Sequence, residues 1–208
     1  MTTFNIGVLG IQGDIEENII STQKALNKLN MTGNIFPVKY YQDLLNLDSL
    51  IIPGGESTVI SSLLSIDSKF QNLLKDKISE GIPVLGTCAG MILLAKHAYD
   101  KITGDVKYQS LDVLDVVVER NSFGRQHDSF EVNLDIPMLG TNYFKGIFIR
   151  APVVTKIGNK VDIIASIHDK IVAVKQNNLI GTSFHPELSN DFRFHEFLIK
   201  ETKKFKEK

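Results

Sequence analysis

Cysteine is nearly missing: Cys88 is the single one in 208 residues. It cannot form an internal disulfide, and one thiolate cannot build a sulfur-rich zinc site, so a reducing, cytoplasmic setting is expected. Excess charge is also missing, since 23 Lys+Arg against 24 Asp+Glu leave a net charge of -1. No basic surplus is available to neutralise many phosphates, which argues against nucleic acid as the main ligand. No apolar run approaches the roughly 18–20 residues a membrane span needs. The first such run, Ile6 to Ile11, is broken by glycine and followed by Gln12, Asp14, Glu16 and Glu17, too short and too acidic for a signal peptide. The tail Lys200 to Lys208 mixes Glu with Lys and reads as a solvated helix end, not a membrane patch. Repeats, low-complexity blocks and Pro/Ser-rich linkers are lacking as well, so residues 1–208 read as one domain.

What is present is an alternation of period. Asn5 to Leu9, Asn34 to Val38, Ser49 to Ile52 and Pro83 to Gly86 are short apolar runs bounded by Gly, Pro or Asn, as buried strands are. Between them lie helix-period stretches. Glu16 to Leu29 sets Ile19, Ile20, Leu26 and Leu29 on one side, Phe70 to Ile78 sets Phe70, Leu73, Leu74 and Ile78 on one side, and a third helix starts after Cys88 and runs past His97. The rhythm implies an α/β fold with a mainly parallel central sheet covered by helices on both faces. From Leu111 the strand candidates crowd together: Val113 to Val118, Ser129 to Leu134, Gly146 to Arg150, Val161 to Ile167, Ile171 to Lys175 and Leu179 to Phe184. Some should extend the parallel sheet and others should form a small antiparallel accessory sheet. A helix from about Asn190 to Lys204 closes the chain.

The most informative segment is Gly86-Thr87-Cys88-Ala89-Gly90, between an apolar strand and an apolar helix. A sharp strand-to-helix turn brings two backbones too close for side chains, so glycines flank the apex residue and push it outward. The start of the helix favours an anionic sulfur there. A lone intracellular cysteine is most often a small buried hydrophobe; the flanking glycines favour a nucleophile instead. A nucleophile needs a base, and His185 follows an apolar strand and opens His185-Pro186-Glu187. In an extended chain residues i and i+2 share a side, so Glu187 is expected to orient the imidazole. His97 and His195 read as structural or solvent-facing, and His168 as a turn residue. His127 adjoins a polar loop and has no assigned role.

Pro53-Gly54-Gly55-Glu56-Ser57-Thr58 ends another apolar strand and opens a helix. Glu56 would repel a phosphate, so a backbone donor for an oxyanion fits this loop better, joined by the N–H of Ala89 just after the nucleophile. A plain helix start capped by Ser57 or Thr58 is the bland alternative. Gly7 to Asp14 spaces its glycines wrongly for a dinucleotide loop and crowds acids where pyrophosphate would sit, although Gln12 is positioned to reach a crevice beyond the strand ends. Arginine is scarce, four against 19 lysines, yet Arg120, Arg125 and Arg150 fall in one stretch. Planar carboxylate recognition suits arginine, which makes Arg120 and Arg150 carboxylate-binding candidates; for Arg125 an ordinary surface or structural ion pair is an equal alternative.

Together these residues carry a resemblance. The Cys88 turn with a distant His185-Pro186-Glu187 resembles the class I, or triad, glutamine amidotransferases, which have a flavodoxin-like fold. Gly7 to Gly13, Pro53 to Thr58, Glu119 to Gln126 and Phe148 to Pro152 narrow this to the glutaminase subunits of deoxyxylulose-independent pyridoxal 5'-phosphate synthases. The resemblance implies a Cys88 thioester with L-glutamine, an oxyanion held by Gly55 and Ala89, proton transfer by His185 oriented by Glu187, and glutamine held by Gly55, Glu56, Ser57, Arg120, Ile149 and Arg150. It implies ammonia transfer to a synthase subunit, weak activity without that partner, and neither cofactor nor metal. A glutaminase serving purine or histidine synthesis is the nearest alternative. A peptidase-like cysteine hydrolase of similar scaffold usually has histidine just after the nucleophile, where this chain has Ala89. A non-catalytic binding module would leave Cys88 dispensable.

Overall fold

The structure, a computed structural model, describes residues 3–100, 104–105, 110–123 and 129–207. In chain order the elements are β1 (Phe4–Leu9), α1 (Ile15–Lys28), β2 (Gly33–Val38), α2 (Tyr41–Leu44), β3 (Ser49–Ile52), α3 (Ser57–Ile66), α4 (Ser68–Ser79), β4 (Val84–Thr87) and α5 (Ala89–Leu94). There follow β5 (Ala95–Asp100), β6 (Gly104–Asp105), β7 (Leu114–Arg120), β8 (Ser129–Leu134), β9 (Phe144–Ile149), β10 (Val153–Ile157), β11 (Asp162–Ile167), β12 (Lys170–Gln176), β13 (Leu179–Thr182) and α6 (Arg193–Lys206).

Strands β2, β1, β3, β4 and β13 lie side by side and all run parallel. In β3, β4 and β13 every residue is buried, and in β1 all but Asn5, as a sheet between two helical layers requires; in the edge strand β2 only Val38 is buried. In β3, Leu50 and Ile52 join the apolar layer containing Leu64, Phe70 and Leu74, while Ile51 joins the opposite layer with Phe184 and Leu198. Each such fully buried aliphatic side chain is worth about 1.5–3 kcal/mol. Past β13 the same sheet continues with β12, β10 and β7 antiparallel, then β5 beside β7 in parallel. β8 and β9 form a separate antiparallel pair, with Ser129 opposite Ile149 and Leu134 opposite Phe144. The mainly parallel sheet and the small accessory sheet are therefore both present. The antiparallel extension of the main sheet is larger than the sequence suggested. Among the described residues no helix is long and apolar enough to cross a membrane.

Three local expectations are corrected. The helix after Cys88 stops at Leu94, because the carbonyls of Leu93 and Leu94 accept from the N–H groups of Leu111 and Val113. The chain leaves as β5, so His97 lies on a strand, not in a helix. On α1, Ile20 faces solvent, and the inward side carries Asn18, Ser21, Thr22, Ala25 and Leu26. That face meets polar atoms: Ser21 Oγ donates to the Glu187 carbonyl at 3.2 Å, and Asn18 Oδ1 lies 3.3 Å from His195 Nε2. β10 is a strand beyond those the sequence suggested, although Val153-Val154-Thr155 has a strand composition.

Candidate active site

β1 is flanked by β2 on one side and β3 on the other, so the chain reverses its direction of advance there, and ligands in such sheets bind beyond the carboxyl ends of strands at that point. The loops leaving β1, β3, β4 and β13 meet at this edge. They bring together Gln12 and Asp14, Gly55 to Ser57, Cys88, and His185 around one cavity of about 260 Å³. That lies near the lower end of the usual ligand-pocket range of roughly 300–1,000 Å³, which suits an amino acid better than a polymer.

The Cys88 turn is tight in the way its glycines require. A Cβ on Gly90 would stand 2.0 Å from the Ile52 carbonyl oxygen, and one on Gly86 would stand 2.6 Å from Leu94 Cδ1. Cys88 itself has φ 49 and ψ -102, a conformation side chains avoid at a cost of about 1–3 kcal/mol. Its N–H donates to the Thr182 carbonyl at 2.7 Å, which ties the turn to β13, the strand that delivers His185. The sulfur is nearly buried but lines the cavity.

His185 is fixed from behind. Phe184 is fully buried, with ring centroids 5.7, 5.4 and 5.5 Å from those of Phe144, Phe148 and Phe194. The His185 N–H donates to the Ile147 carbonyl at 2.9 Å. Extended geometry does not carry through His185-Pro186-Glu187 as the sequence suggested. Only His185 is extended, and Pro186–Leu188 forms a single 3-10 turn, which suits the fixed φ of proline. The turn still brings Glu187 Oε1 to 2.9 Å from His185 Nδ1. A second carboxylate reaches the same nitrogen: Asp14 Oδ2 stands 3.1 Å from Nδ1. Sequence reading missed Asp14, whose place just before α1 looks like an ordinary helix cap.

Burial alone would lower the pKa of His185. Hydrogen bonds with Asp14, Cys88 and Glu187 outweigh it and raise the pKa from 6.5 to about 12, so the ring is an imidazolium at neutral pH. Burial pushes the Glu187 carboxyl up, against the pull of its bond to His185. With two carboxylates on Nδ1, the shared proton belongs on the ring. Asp14, His185 and Glu187 lie close enough together to face a metal ion, all within 4.8 Å. The 2.9 Å contact to Glu187 is a direct hydrogen bond and Asp14 Oδ2 stands 3.1 Å from the same nitrogen, distances that leave no room for an ion between the partners.

The remaining sequence candidates fall around the same space. Gly55, Glu56, Ser57, Arg120, Ile149 and Arg150 line the cavity, Ala89 is buried directly behind Cys88, and Glu187 is buried behind His185. Gln12 Oε1 accepts from the Glu56 N–H at 2.9 Å. Among the described residues the N–H groups of Gly55 and Ala89 have no acceptor. Arg150, at φ 45, places Nη2 3.1 Å from Glu56 Oε1. Arg120 has no ion-pair partner among the described residues. Its flanks are held to β5, where Tyr99 donates to Glu119 Oε2 at 3.1 Å and Asp100 Oδ2 accepts from Asn121 Nδ2 at 3.0 Å. Arg125 and His127 lie outside the described residues. His168 sits in a turn, and His195 is wholly buried on α6, not solvent-facing. A sulfur nucleophile, an adjacent imidazolium and unused N–H donors are the groups that acyl transfer from an amide needs.

Comparison with known proteins agrees with this chemistry. Residues 8–204 match the model of the SNO glutamine amidotransferase family. The pyridoxal 5'-phosphate synthase subunit PdxT of Nitrosopumilus maritimus is 44% identical over 201 residues, covering 95% of this chain and 98% of the relative. The protein of the same name from Pyrococcus furiosus is 45% identical over 196 residues, 94% and 97% of the two chains. A crystal structure described as a glutamine amidotransferase superposes with a TM-score of 0.81 at 38% identity, covering 95% of this chain and 98% of that one. The PurLQS structure from Thermotoga maritima, at 14% identity and a TM-score of 0.62, shares the fold. The chain belongs to the SNO glutamine amidotransferase family.

Proposed function

We propose that this chain is the glutaminase subunit of a pyridoxal 5'-phosphate synthase. On this reading residues 1–208 act as one cytoplasmic domain that hydrolyses L-glutamine and passes the ammonia to the synthase subunit for vitamin B6 biosynthesis. The observation that carries it is that Cys88 and His185 line one amino-acid-sized cavity, with Glu187 Oε1 2.9 Å behind the ring at Nδ1. The names of the relatives similar along nearly the whole chain support the identity of the partner. The unbroken main sheet supports a single domain.

Cys88 Sγ attacks the side-chain amide carbon of glutamine; the S–C bond forms and the carbonyl electron pair moves onto oxygen. The N–H groups of Gly55 and Ala89 donate to that oxyanion. As it collapses the C–N bond breaks, and the nitrogen takes the proton held by His185 and leaves as ammonia. The neutral imidazole then deprotonates water, which adds to the thioester. The C–S bond breaks, glutamate departs, and thiolate and imidazolium are restored. Glu187 keeps the ring oriented throughout. Arg120 and Arg150 take the α-carboxylate and Glu56 the α-ammonium, while Ser57 and Ile149 shape the site.

The test is labelling by a glutamine-analogue electrophile, followed by mapping of the adduct. Labelling is expected on Cys88, and hydrolysis is expected to rise when the synthase subunit is added and to vanish in Cys88→Ala. Activity surviving that substitution overturns the mechanism. Pyridoxal phosphate formed with glutamine as sole nitrogen source identifies the partner.

A further inference from the structure

The geometry points to Asp14 as a second positioning residue for His185, sharing with Glu187 the task of holding and charging the imidazole. This rests on the glutaminase reading for its catalytic meaning, although the contact itself does not.

The first support is what Asp14 does not do. It stands at the N-cap of α1, where aspartate normally accepts from the first turn of the helix, yet its side chain makes no cap hydrogen bond. The helix start is secured without it, since the Asp14 carbonyl accepts from Asn18 N at 3.3 Å and Asn18 Nδ2 at 2.8 Å. The carboxylate turns the other way, to His185 Nδ1.

The second support is how firmly that orientation is imposed. Gly13 has φ 113, and a Cβ on it would stand 1.7 Å from the Gly54 carbonyl oxygen, so the loops after β1 and β3 touch backbone to backbone. The Asp14 N–H donates to that same carbonyl at 3.1 Å. A Cβ on Gly54 would in turn stand 2.8 Å from Asp14 Oδ2 and 2.3 Å from His185 Cε1. Two glycines thus clear the space in which this carboxylate meets this ring.

The third support is a deficiency in Glu187. Its Oε2 is buried with no hydrogen-bond partner, and its side chain is fully enclosed. A carboxylate solvated through one oxygen is a poor lone counter-charge for an imidazolium. Asp14 Oδ2 reaches the same nitrogen from a side chain that is 35% exposed, so it keeps part of its hydration while facing the ring. The groups facing His185 are thus Asp14 from the start of α1, Glu187 from the turn after β13, and Cys88 from the turn after β4. Glu56, Arg120 and Arg150 line the cavity, and Glu56 is already paired with Arg150.

The experiment compares Asp14→Asn, Asp14→Glu and the unchanged chain, each with its synthase subunit. Asparagine caps a helix as well as aspartate does, so the fold is kept while the charge is removed. Asp14→Asn is expected to lower kcat about tenfold or more with KM within about twofold. Loss of a carboxylate favours the neutral ring, so the alkaline limb of the rate profile is expected at least about one pH unit lower. Asp14→Glu restores the charge and is expected to return the limb toward its original position. Nitrogen NMR of the His185 ring, recorded from pH 7 to pH 10 as the probe range, should find both nitrogens protonated in the unchanged chain and one deprotonating in Asp14→Asn.

A limb and kcat unmoved in Asp14→Asn overturn the proposal, and so does lost activity with an unmoved ring titration. If the unchanged chain hydrolyses no glutamine and Cys88 is not labelled, the functional reading fails instead. The ring titration still decides the role of Asp14 in that case.

Discussion

Gly54 and His185 are in contact so close that one further carbon cannot be fitted: a Cβ on Gly54 would lie 2.3 Å from Cε1 and 2.8 Å from Nδ1 of the ring. The ring has nowhere to retreat, since Nδ1 is held by both Glu187 and Asp14. Gly54→Ala is therefore expected to displace the imidazole by about an ångström, a misplacement worth on the order of 100-fold in rate. Kinetic constants with glutamine check this, and a kcat unchanged from that of the parent contradicts it.

Gly90→Ala should act on stability instead. The added Cβ would meet the backbone oxygen of Ile52 at 2.0 Å, where β3 and the start of α5 face each other and neither can swing aside. Overpacking of this kind costs about 1–3 kcal/mol, and the rigid neighbour puts this site at the upper end. A loss of about 3 kcal/mol corresponds to a fall in Tm of roughly 6–12 °C for a chain of this size. Differential scanning calorimetry measures it.

Glycines also show how much the sequence disclosed. The glycines around Cys88 announce a backbone crossing because no other residue tolerates one, and the strands Ser49–Ile52 and Ser129–Leu134 are legible to the residue from composition. Interactions made by groups far apart in the chain are hidden. α5 ends where it does because Leu111 and Val113 supply N–H groups to its last carbonyls. The inner face of α1 is polar because Glu187 and His195 present polar atoms to it. Asp14 was disguised by its position, since an aspartate before a helix already has an ordinary explanation. The His185–Glu187 contact was expected for a partly wrong reason: the spacing of two was right, and a 3-10 turn, not a strand, delivers it.

Arg120 gives a prediction that separates binding from folding. Its guanidinium has no ion-pair partner among the described residues, so removing it breaks no ion pair among them. Arg120→Ala should leave Tm within about 1 °C while raising KM for glutamine about tenfold or more. Arg120→Lys keeps the charge but not the planar fork and should recover the loss only in part. A KM indifferent to both changes removes Arg120 from the substrate site.

The acid side of the stability profile should be dominated by a histidine far from the chemistry. His195 is completely buried, and burial lowers its pKa from 6.5 to about 4. Nε2 faces Asn18 Oδ1 at 3.3 Å, while Nδ1 is buried with no partner, so a proton added there would be an unpaired buried charge. Between pH 6.5 and pH 4 the unfolded chain therefore binds a proton that the folded chain refuses, and stability falls as pH falls. Over the interval from pH 7 to pH 5 the loss amounts to about 2 kcal/mol. His185 opposes this trend only at its upper end: with its pKa raised to about 12, its contribution still grows as pH falls from 7 through 6.5 and is complete below that, and it is common to the two chains compared. Urea unfolding of the parent and of His195→Gln at both pH values isolates the effect, because every other titrating group is common to the two chains. The variant should start less stable at pH 7 and lose about 2 kcal/mol less on acidification; parallel losses in both chains assign the acid sensitivity to groups other than His195.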